Sequence, residues 1–559
     1  MLNMLTKEGG DLRIIATNHE SERKNWGEQS HERKLPLRIR DLSVTLPSWG
    51  DRAHAVSGVS FSIGPNQVFC LVGESGSGKS VIARSILGLL PPNKLVPTGL
   101  GIEFFGEDLL RATPERLRAI RGRDIGMIFQ DPMTALNPLM TIGQQIDELL
   151  VEHGEEARSA RRKRILEMLD SVHLPNPERI YKAYPHELSG GQRQRAMIAQ
   201  ALILEPKLLI ADEPTTALDV TTQAQILKLI RELQQKRATS ILFITHDFGV
   251  VAEIADRVGV MRQGEMVEEG AAQEVLRQPK ESYTQQLLAS VPEFRPRRPD
   301  PTKEQGRPQV EVKDLRKSYG NTHALDGINM TLRRGSTLGV VGESGSGKST
   351  LGRAIARLIN VDDGRIQLDG DDITRLSRRQ LRPYRSKMQV VFQDPFSSLN
   401  PRRTVGDLIT QGPILNGVSR EQAYAEMQEL LKIVGLRPEA QDRYPHEFSG
   451  GQRQRVGIAR ALAMKPEFLI ADEPVSALDV TVQKQVLDLL ERIQRDMNLT
   501  MFFITHDLRV ASQICDRLIV MMQGRIVEEG ATADVFLQPK AEYTKALLAA
   551  MPEIKKPEI

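Results

Sequence analysis

Short apolar runs rich in β-branched residues punctuate the chain, and each is followed by a longer stretch with helical spacing. Residues 68–72 precede a helical pattern over 81–89, and residues 337–341 precede one over 351–358. Runs at 240–244 and 500–504 alternate with helical stretches at 223–235 and 483–494. Unbroken apolar runs of this length predict strands buried on both faces, and their alternation with helices predicts a largely parallel sheet flanked by helices. Residues 140–185 and 404–445 read as helical with no strand, which predicts a small helical subdomain beside each sheet.

The pattern is written twice. FQDP (129–132 and 392–395), YPHE (184–187 and 444–447), SGGQRQR (189–195 and 449–455), LIADEP (209–214 and 469–474), ITHD (244–247 and 504–507) and VEEGA (267–271 and 527–531) recur in the same order. A period of about 260 residues is a domain duplication, because solenoid repeats are far shorter. The expected organisation is a flexible tail over 1–34, a first domain over 35–292, a proline-rich linker over 293–307, a second domain over 308–552 and a tail over 553–559. Five prolines fall between residues 292 and 308. An extended linker of that length would span roughly 50 Å, enough for the two domains to meet face to face.

Composition narrows the class. The 559 residues are 40% apolar and 26% charged, ordinary for a globular protein. With 75 basic against 72 acidic residues there is no electrostatic footprint for nucleic acid. The basic run Arg161 to Arg164 reads as a solvated helix face. Cys70 and Cys515 lie in apolar segments and read as buried thiols; two cysteines supply neither a cysteine zinc site nor an iron–sulfur cluster. No apolar run reaches membrane-spanning length, and residues 1–34 lack the apolar core of a signal peptide.

The repeat also carries the candidate chemistry. Gly73-Glu74-Ser75-Gly76-Ser77-Gly78-Lys79-Ser80 and Gly342-Glu343-Ser344-Gly345-Ser346-Gly347-Lys348-Ser349, the latter followed by Thr350, each fit G-x-x-x-x-G-K-[ST]. Backbone N–H groups must curl around phosphate oxygens, and a Cβ would obstruct that approach, so glycine recurs. Lys79 and Lys348 would bring charge to the β/γ-phosphates, and Ser80 and Ser349 a hydroxyl to Mg2+. A Gly/Ser linker would also be rich in these residues. Two identical octapeptides, each between a strand and a helix, exclude that reading.

Asp212-Glu213 and Asp472-Glu473 end apolar strands, where the carboxyl edge of a sheet receives ligands. Asp212 and Asp472 would hold Mg2+, and Glu213 and Glu473 would polarise the attacking water. His246 and His506 each lie 34 residues further on and would contact the γ-phosphate. Gln130 and Gln393 carry amide oxygens suited to Mg2+ or water. Ser189-Gly190-Gly191-Gln192 and Ser449-Gly450-Gly451-Gln452 precede helices and form a second candidate anion cradle in each domain.

This ordered set resembles the ATP-binding cassette ATPases over nearly the whole chain. The resemblance implies an α/β fold class: two tandem P-loop NTPase domains, each with a mixed sheet core and a helical subdomain. It adds a D-loop at Ala217-Leu218-Asp219 and Ala477-Leu478-Asp479, and head-to-tail pairing that traps two ATP with Mg2+. Residues 73–80 would then work with 448–452, and residues 342–349 with 188–192. The phrases at 129–138, 392–401, 283–292 and 543–552 resemble the peptide/nickel importers, including fused ATPases of glutathione, oligopeptide and peptide-antibiotic importers.

That group implies two integral-membrane permeases as partners, a substrate-binding protein reached through them, and a peripheral position on the cytoplasmic face of the membrane. It implies no nucleic acid and no requirement for a homodimer. The family's adenine-stacking aromatic is Tyr319 in the second unit, whereas Leu46 occupies that position in the first, with Trp49 as the candidate replacement. Glu281-Ser282 and Ala541-Glu542 stand where the group has His-Pro, and the cysteine cluster of some members is missing. The alternatives are a tandem ATPase acting on ribosomes or DNA, or an importer of nickel or a sugar. The short proline-rich linker and the two cysteines favour transport, and two intact sites argue against sugar import.

Overall fold

The computed structural model describes residues 35–47, 52–91, 94–154, 157–215, 218–298, 306–394, 398–476 and 478–551. The expected tails, Trp49, Ala217, Ala477 and residues 299–305 of the expected linker lie outside them.

Each half of the repeat builds a six-stranded sheet. In the first half the order is Glu265–Ala271, Arg257–Arg262, Val68–Gly73, Ser240–Thr245, Leu208–Asp212 and Ile125–Ile128. All neighbours are parallel except the first pair. The second half repeats the order with Arg525–Ala531, Arg517–Met522, Thr337–Val341, Thr500–Ile504, Phe468–Asp472 and Met388–Val391. Every residue of Val68–Gly73 and Leu208–Asp212 is buried, as a parallel strand covered on both faces requires. Alternate side chains enter different cores. Val68, Cys70 and Val72 pack with the helical side, while Phe69 and Leu71 pack with a second sheet.

That second sheet is antiparallel and the sequence reading missed it. Leu37–Thr45 pairs with His54–Ile63 and with Gly101–Phe104; Pro308–Tyr319 pairs with Thr322–Arg333 and with Asp363–Leu368. The signal was present as period-two alternation: Leu37, Ile39, Leu42 and Val44 are buried between more exposed neighbours. The helical layer is Ile142–Glu152, Arg158–Ser171, Pro177–Lys182 and Gly190–Leu202 in the first half. In the second it is Val405–Leu415, Arg420–Ile433 and Gly450–Leu462, with a 3-10 turn at Pro438–Asp442.

Two expectations change. The basic run is not simply a solvated face. Arg161 pairs with Asp147 at 2.7 Å, and Arg164 donates to the Ile203 carbonyl at 2.8 Å, so both tie helices together. Only Arg162 and Lys163 face outward, because a four-residue run must wrap more than one helix face. The start of the expected linker is also seated rather than free. The N–H groups of Arg295 and Arg297 donate to Ser512, Gln513 donates to the Glu293 carbonyl, and Phe294 packs against Phe536 at 5.3 Å. Backbone polar groups beside a folded surface find partners there. Cys70 and Cys515 are fully buried, and burial pushes both thiols up.

Candidate nucleotide site

Each glycine-rich loop follows a central strand and opens a helix, Lys79–Ile86 or Lys348–Ile355, whose N-cap glycine is left-handed (φ 105° at Gly78, 103° at Gly347). A Cβ on Gly78 would sit 2.5 Å from the Ala55 carbonyl, and one on Gly347 2.3 Å from that of Ala324. The antiparallel sheet therefore presses these loops from behind. Gly76 and Gly345 have open space around a Cβ. Only there does the room belong to a ligand rather than to the protein's own backbone. Lys79 Nζ donates to the carbonyls of Gly73 and Glu74 at 2.7 and 2.8 Å, and Lys348 Nζ donates to Gly342 and Glu343 at 2.8 and 2.7 Å. Burial lowers both ammonium pKa values, against nearby carboxylates that raise them.

Ser80 Oγ donates to Asp212 at 2.9 Å, and Ser349 Oγ to Asp472 at 2.8 Å. Burial pushes both aspartates up, and the adjacent glutamate adds to the effect. A hydroxyl beside a buried carboxylate is a hard-oxygen donor pair suited to Mg2+, a cation held by one or two carboxylates plus phosphate oxygens, and the ion's charge would favour the ionised carboxylate that burial disfavours.

Glu213 and Glu473 are hubs. Gln130 Nε2 donates to Glu213 Oε2 at 3.0 Å, and Gln393 Nε2 to Glu473 Oε2 at 2.8 Å. His246 Nδ1 lies 3.4 Å from the same Glu213 oxygen, and His506 Nδ1 3.1 Å from that of Glu473. Burial works against charge on both histidines, but the glutamates raise them above the ordinary imidazole value. Burial also pushes Glu473 up, yet His506 and Lys348 hold it below the usual carboxylate range. Both glutamates sit in left-handed backbone, φ 47° at Glu213 and 46° at Glu473. This conformation costs a non-glycine residue about 1–3 kcal/mol and gathers at functional sites. The N–H of each bonds the adjacent strand, to Ile244 and Ile504, which fixes the turn.

The Ser-Gly-Gly-Gln segments form capping boxes. Ser189 Oγ accepts from Gln192 N while Gln192 Oε1 accepts from Ser189 N, and Ser449 and Gln452 repeat this. The side chains are spent on the helix start, which leaves the Gly190, Gly191, Gly450 and Gly451 amides for an anion. No described contact joins either segment to the loop of the other half. The hydrogen bonds that reach these loops from the other half come instead from the starts of the helices Val220–Arg237 and Val480–Asp496. Ser75 N donates to Asp479 Oδ1 at 2.8 Å and Ser344 N to Asp219 Oδ2 at 3.3 Å. Thr481 Oγ1 donates to Glu74, and Thr221 Oγ1 to Glu343, both at 2.6 Å. A cavity of about 520 Å³ at the second loop is lined by Lys348, Ser349, Thr350, Gln393, Glu473 and His506, by Gly450 of the same half, and by Asp219 of the other. A smaller cavity of about 140 Å³ between the halves is lined by both His246 and His506.

Sequence reasoning passed over Thr221, Thr481 and Arg52. The threonines were visible as the repeated Leu-Asp-Val-Thr at 218–221 and 478–481. Arg52 left no repeat signal; its guanidinium donates to the Gly76 carbonyl in the first half only. Tyr319 is half-exposed at the end of the strand Pro308–Tyr319, with Lys317 Nζ 5.4 Å from its ring. Leu46 packs instead onto the core beneath the antiparallel sheet.

The ABC transporter family profile matches residues 56–216 and 325–476. A second profile, oligopeptide/dipeptide transporter, C-terminal region, matches residues 267–318 and 527–559. The chain is 50% identical over 525 residues to the peptidoglycan transport ATP-binding protein YejF of Agrobacterium fabrum, covering 92% of this chain and 96% of that one. It is 47% identical over 529 residues to an uncharacterized ABC transporter ATP-binding protein of Escherichia coli, covering 92% and 99%. It is 44% identical over 562 residues to the glutathione import ATP-binding protein GsiA of Salmonella choleraesuis, covering 92% and 89%.

Proposed function

The chain belongs to the ABC transporter family, with two α/β ATP-binding cassettes in one polypeptide, and from that premise we propose that it is the ATP-hydrolysing subunit of a peptide importer. The observation that carries this reading is the Gln–Glu–His cluster built twice, each copy facing its own glycine-rich loop.

In each cassette the glycine-rich loop would cradle the phosphates of ATP, with Lys79 or Lys348 released from its loop carbonyls to meet them. Ser80 with Asp212, and Ser349 with Asp472, would hold Mg2+, joined by the amide oxygens of Gln130 and Gln393; the ion would neutralise charge on the phosphate oxygens. Glu213 and Glu473 would accept the proton of the attacking water. His246 and His506 hold those carboxylates in place and would themselves face the γ-phosphate. The capping-box amides would contribute a second anion contact in the closed pair. Closing on ATP and opening after hydrolysis would do the mechanical work, through differential affinity for the closed arrangement.

The substrate class rests on the matching C-terminal region and on the names of the relatives, one for peptidoglycan transport and one for glutathione import, whose substrates share peptide chemistry. The partners would be membrane permeases. A groove of about 230 Å³ lined by Leu89, Phe129, Ala135, Leu149 and Met197 suits a short permease helix. No helix among the described residues is long and apolar enough to cross a membrane, so attachment to the cytoplasmic face would come from such docking. Glu213→Gln with Glu473→Gln should reduce ATP turnover at least 100-fold while leaving nucleotide binding intact. Unchanged turnover would overturn the assignment of the base. Sedimentation with membranes only on co-expression of the permeases tests the partners, and uptake of labelled peptides in a deletion strain tests the substrate class.

A further inference from the structure

The family's C-terminal extension ends each half with a short helix, Ser282–Ser290 or Glu542–Ala549, whose tyrosine lies beneath a glycine-rich loop. In the second half, the N–H of Glu343 donates to the Tyr543 hydroxyl oxygen at 3.1 Å. The carboxylate of the same Glu343 accepts from Thr221 of the other half at 2.6 Å, and the next amide, Ser344, donates to Asp219 there. One residue is thus held from two sides, by its own C-terminal helix through the backbone and by the opposite cassette through the side chain. The first half repeats the crossing bonds but not the tyrosine–amide bond. Glu74 accepts from Thr481 at 2.6 Å and Ser75 N donates to Asp479. Tyr283 is buried, its hydroxyl making no hydrogen bond among the described residues, with the Arg262 guanidinium over its ring at 4.8 Å.

Glu74 and Glu343 occupy a variable position of the phosphate-loop pattern, so phosphate chemistry does not require a carboxylate there. Their carboxylates serve the partner cassette instead. At Glu343 a Tyr–amide bond fixes the loop backbone from which that carboxylate projects. The strain-free way to keep both bonds is to move the C-terminal helix and the opposite cassette together.

We infer that Glu343 couples its C-terminal helix to the opposite cassette, with Tyr543 as a positioning residue that sets how firmly the two halves engage around ATP. This rests on the ATPase reading above. The relay is specific to its own crossing: Tyr543 works with Thr221 through Glu343, and not with Thr481, which bonds Glu74.

The test is a pair of double-mutant cycles on the full chain. Tyr543→Phe and Thr221→Val should each lower kcat about three- to tenfold with KM for ATP changed less than twofold. The double variant should fall within twofold of the worse single. Tyr543→Phe with Thr481→Val should show the product of the two single effects. A multiplicative result for the Tyr543/Thr221 pair, or equal non-additivity in both pairs, overturns the relay. Should the wild-type chain bind a fluorescent ATP analogue without hydrolysing it, the function reading fails. The same two cycles read in unfolding midpoints then decide the relay separately, non-additivity confined to the Tyr543/Thr221 pair supporting it and its absence overturning it.

Discussion

In the first cassette Ser80 reaches Asp212 at 2.9 Å and Gln130 reaches Glu213 at 3.0 Å; in the second, Ser349 reaches Asp472 at 2.8 Å and Gln393 reaches Glu473 at 2.8 Å. Around these near-identical centres the surroundings differ. Arg52 touches the first loop from the turn of the antiparallel sheet, where the second cassette presents Tyr319. Arg262 stacks on Tyr283, while Met522 occupies its place in the second half. The Asp219 side chain accepts from the Thr222 and Ser344 amides, whereas the one hydrogen bond described for the Asp479 side chain comes from Ser75. The difference teaches where each copy is constrained. A buried carboxylate with several partners fixes its neighbours, because any displaced group leaves a desolvated charge. Half-exposed positions at the rim carry no such penalty and have diverged.

The largest test of this comparison removes the loop lysines. Lys79→Ala and Lys348→Ala should each reduce turnover about 100-fold or more, since each removes a buried charge that would stabilise phosphate charge in the proposed site. Steady-state ATPase assays on the two variants should agree within about threefold. A tenfold gap would mean that the rim differences reach the chemistry, and that the cassettes are unequal despite matching centres.

The base side of the site should separate the cassettes. Stacking on an aromatic ring contributes about 1–3 kcal/mol per base. Tyr319→Ala should therefore weaken nucleotide binding at the second site about 10- to 100-fold. Arg52→Ala should weaken the first site by less, about three- to tenfold. Titration of a fluorescent ATP analogue, with the other cassette silenced by its lysine substitution, measures each. Equal losses would erase the asymmetry that Leu46 suggests.

The central sheet was legible in the sequence because a strand buried on both faces leaves an unbroken apolar run, as at Val68–Gly73 and Leu208–Asp212. The antiparallel sheet was passed over because Leu37–Thr45 carries Arg38, Arg40 and Asp41 between its buried positions, and a half-exposed strand reads as a polar segment. Glu213 was identified from its motif, but not its left-handed backbone, which depends on a hydrogen bond to Ile244 on another strand. The Thr481–Glu74 bond joins residues 407 apart, and no local pattern encodes such a pairing. The Ser-Gly-Gly-Gln segments were recognised as helix starts, and they are; which loop each one serves is a matter of tertiary arrangement.

The histidines offer a finer contrast. His506 is raised above 6.5 and Glu473 lowered below 4.5, so their pair is charged between those values. The histidine's share of stability is fully present below pH 6.5 and is lost as pH rises through its raised pKa. The glutamate's share is present above pH 4.5 and is lost as pH falls through its lowered pKa. His506→Gln should lower the unfolding midpoint by about 2–4 °C between pH 4.5 and 6.5, and by less at higher pH. Asp479 from the opposite half adds to the rise of His246, whereas Lys348 opposes that of His506. The cost of His246→Gln should likewise fall as pH rises through the raised His246 pKa, and midpoints measured from about pH 5 to 9 check it.

The smallest expected effect concerns the two turn aspartates. Asp219 caps the helix Val220–Arg237 by accepting from Thr222 N at 2.9 Å, while Asp479 makes no side-chain cap on Val480–Asp496. Both also accept from the loop of the other cassette, Asp219 at 3.3 Å and Asp479 at 2.8 Å. Despite burial, its donors hold the Asp219 carboxyl below the usual range; burial pushes Asp479 above it. Asp219 is therefore divided between its own helix and its partner, and Asp479 serves the partner alone. Losing an N-cap costs about 1 kcal/mol, so Asp219→Ala should lower the unfolding midpoint about 2–4 °C more than Asp479→Ala does. Asp219→Asn, which retains a capping oxygen, should recover most of that difference. Equal midpoints for the two alanine variants would mean that the crossing bond, and not the cap, is what Asp219 contributes.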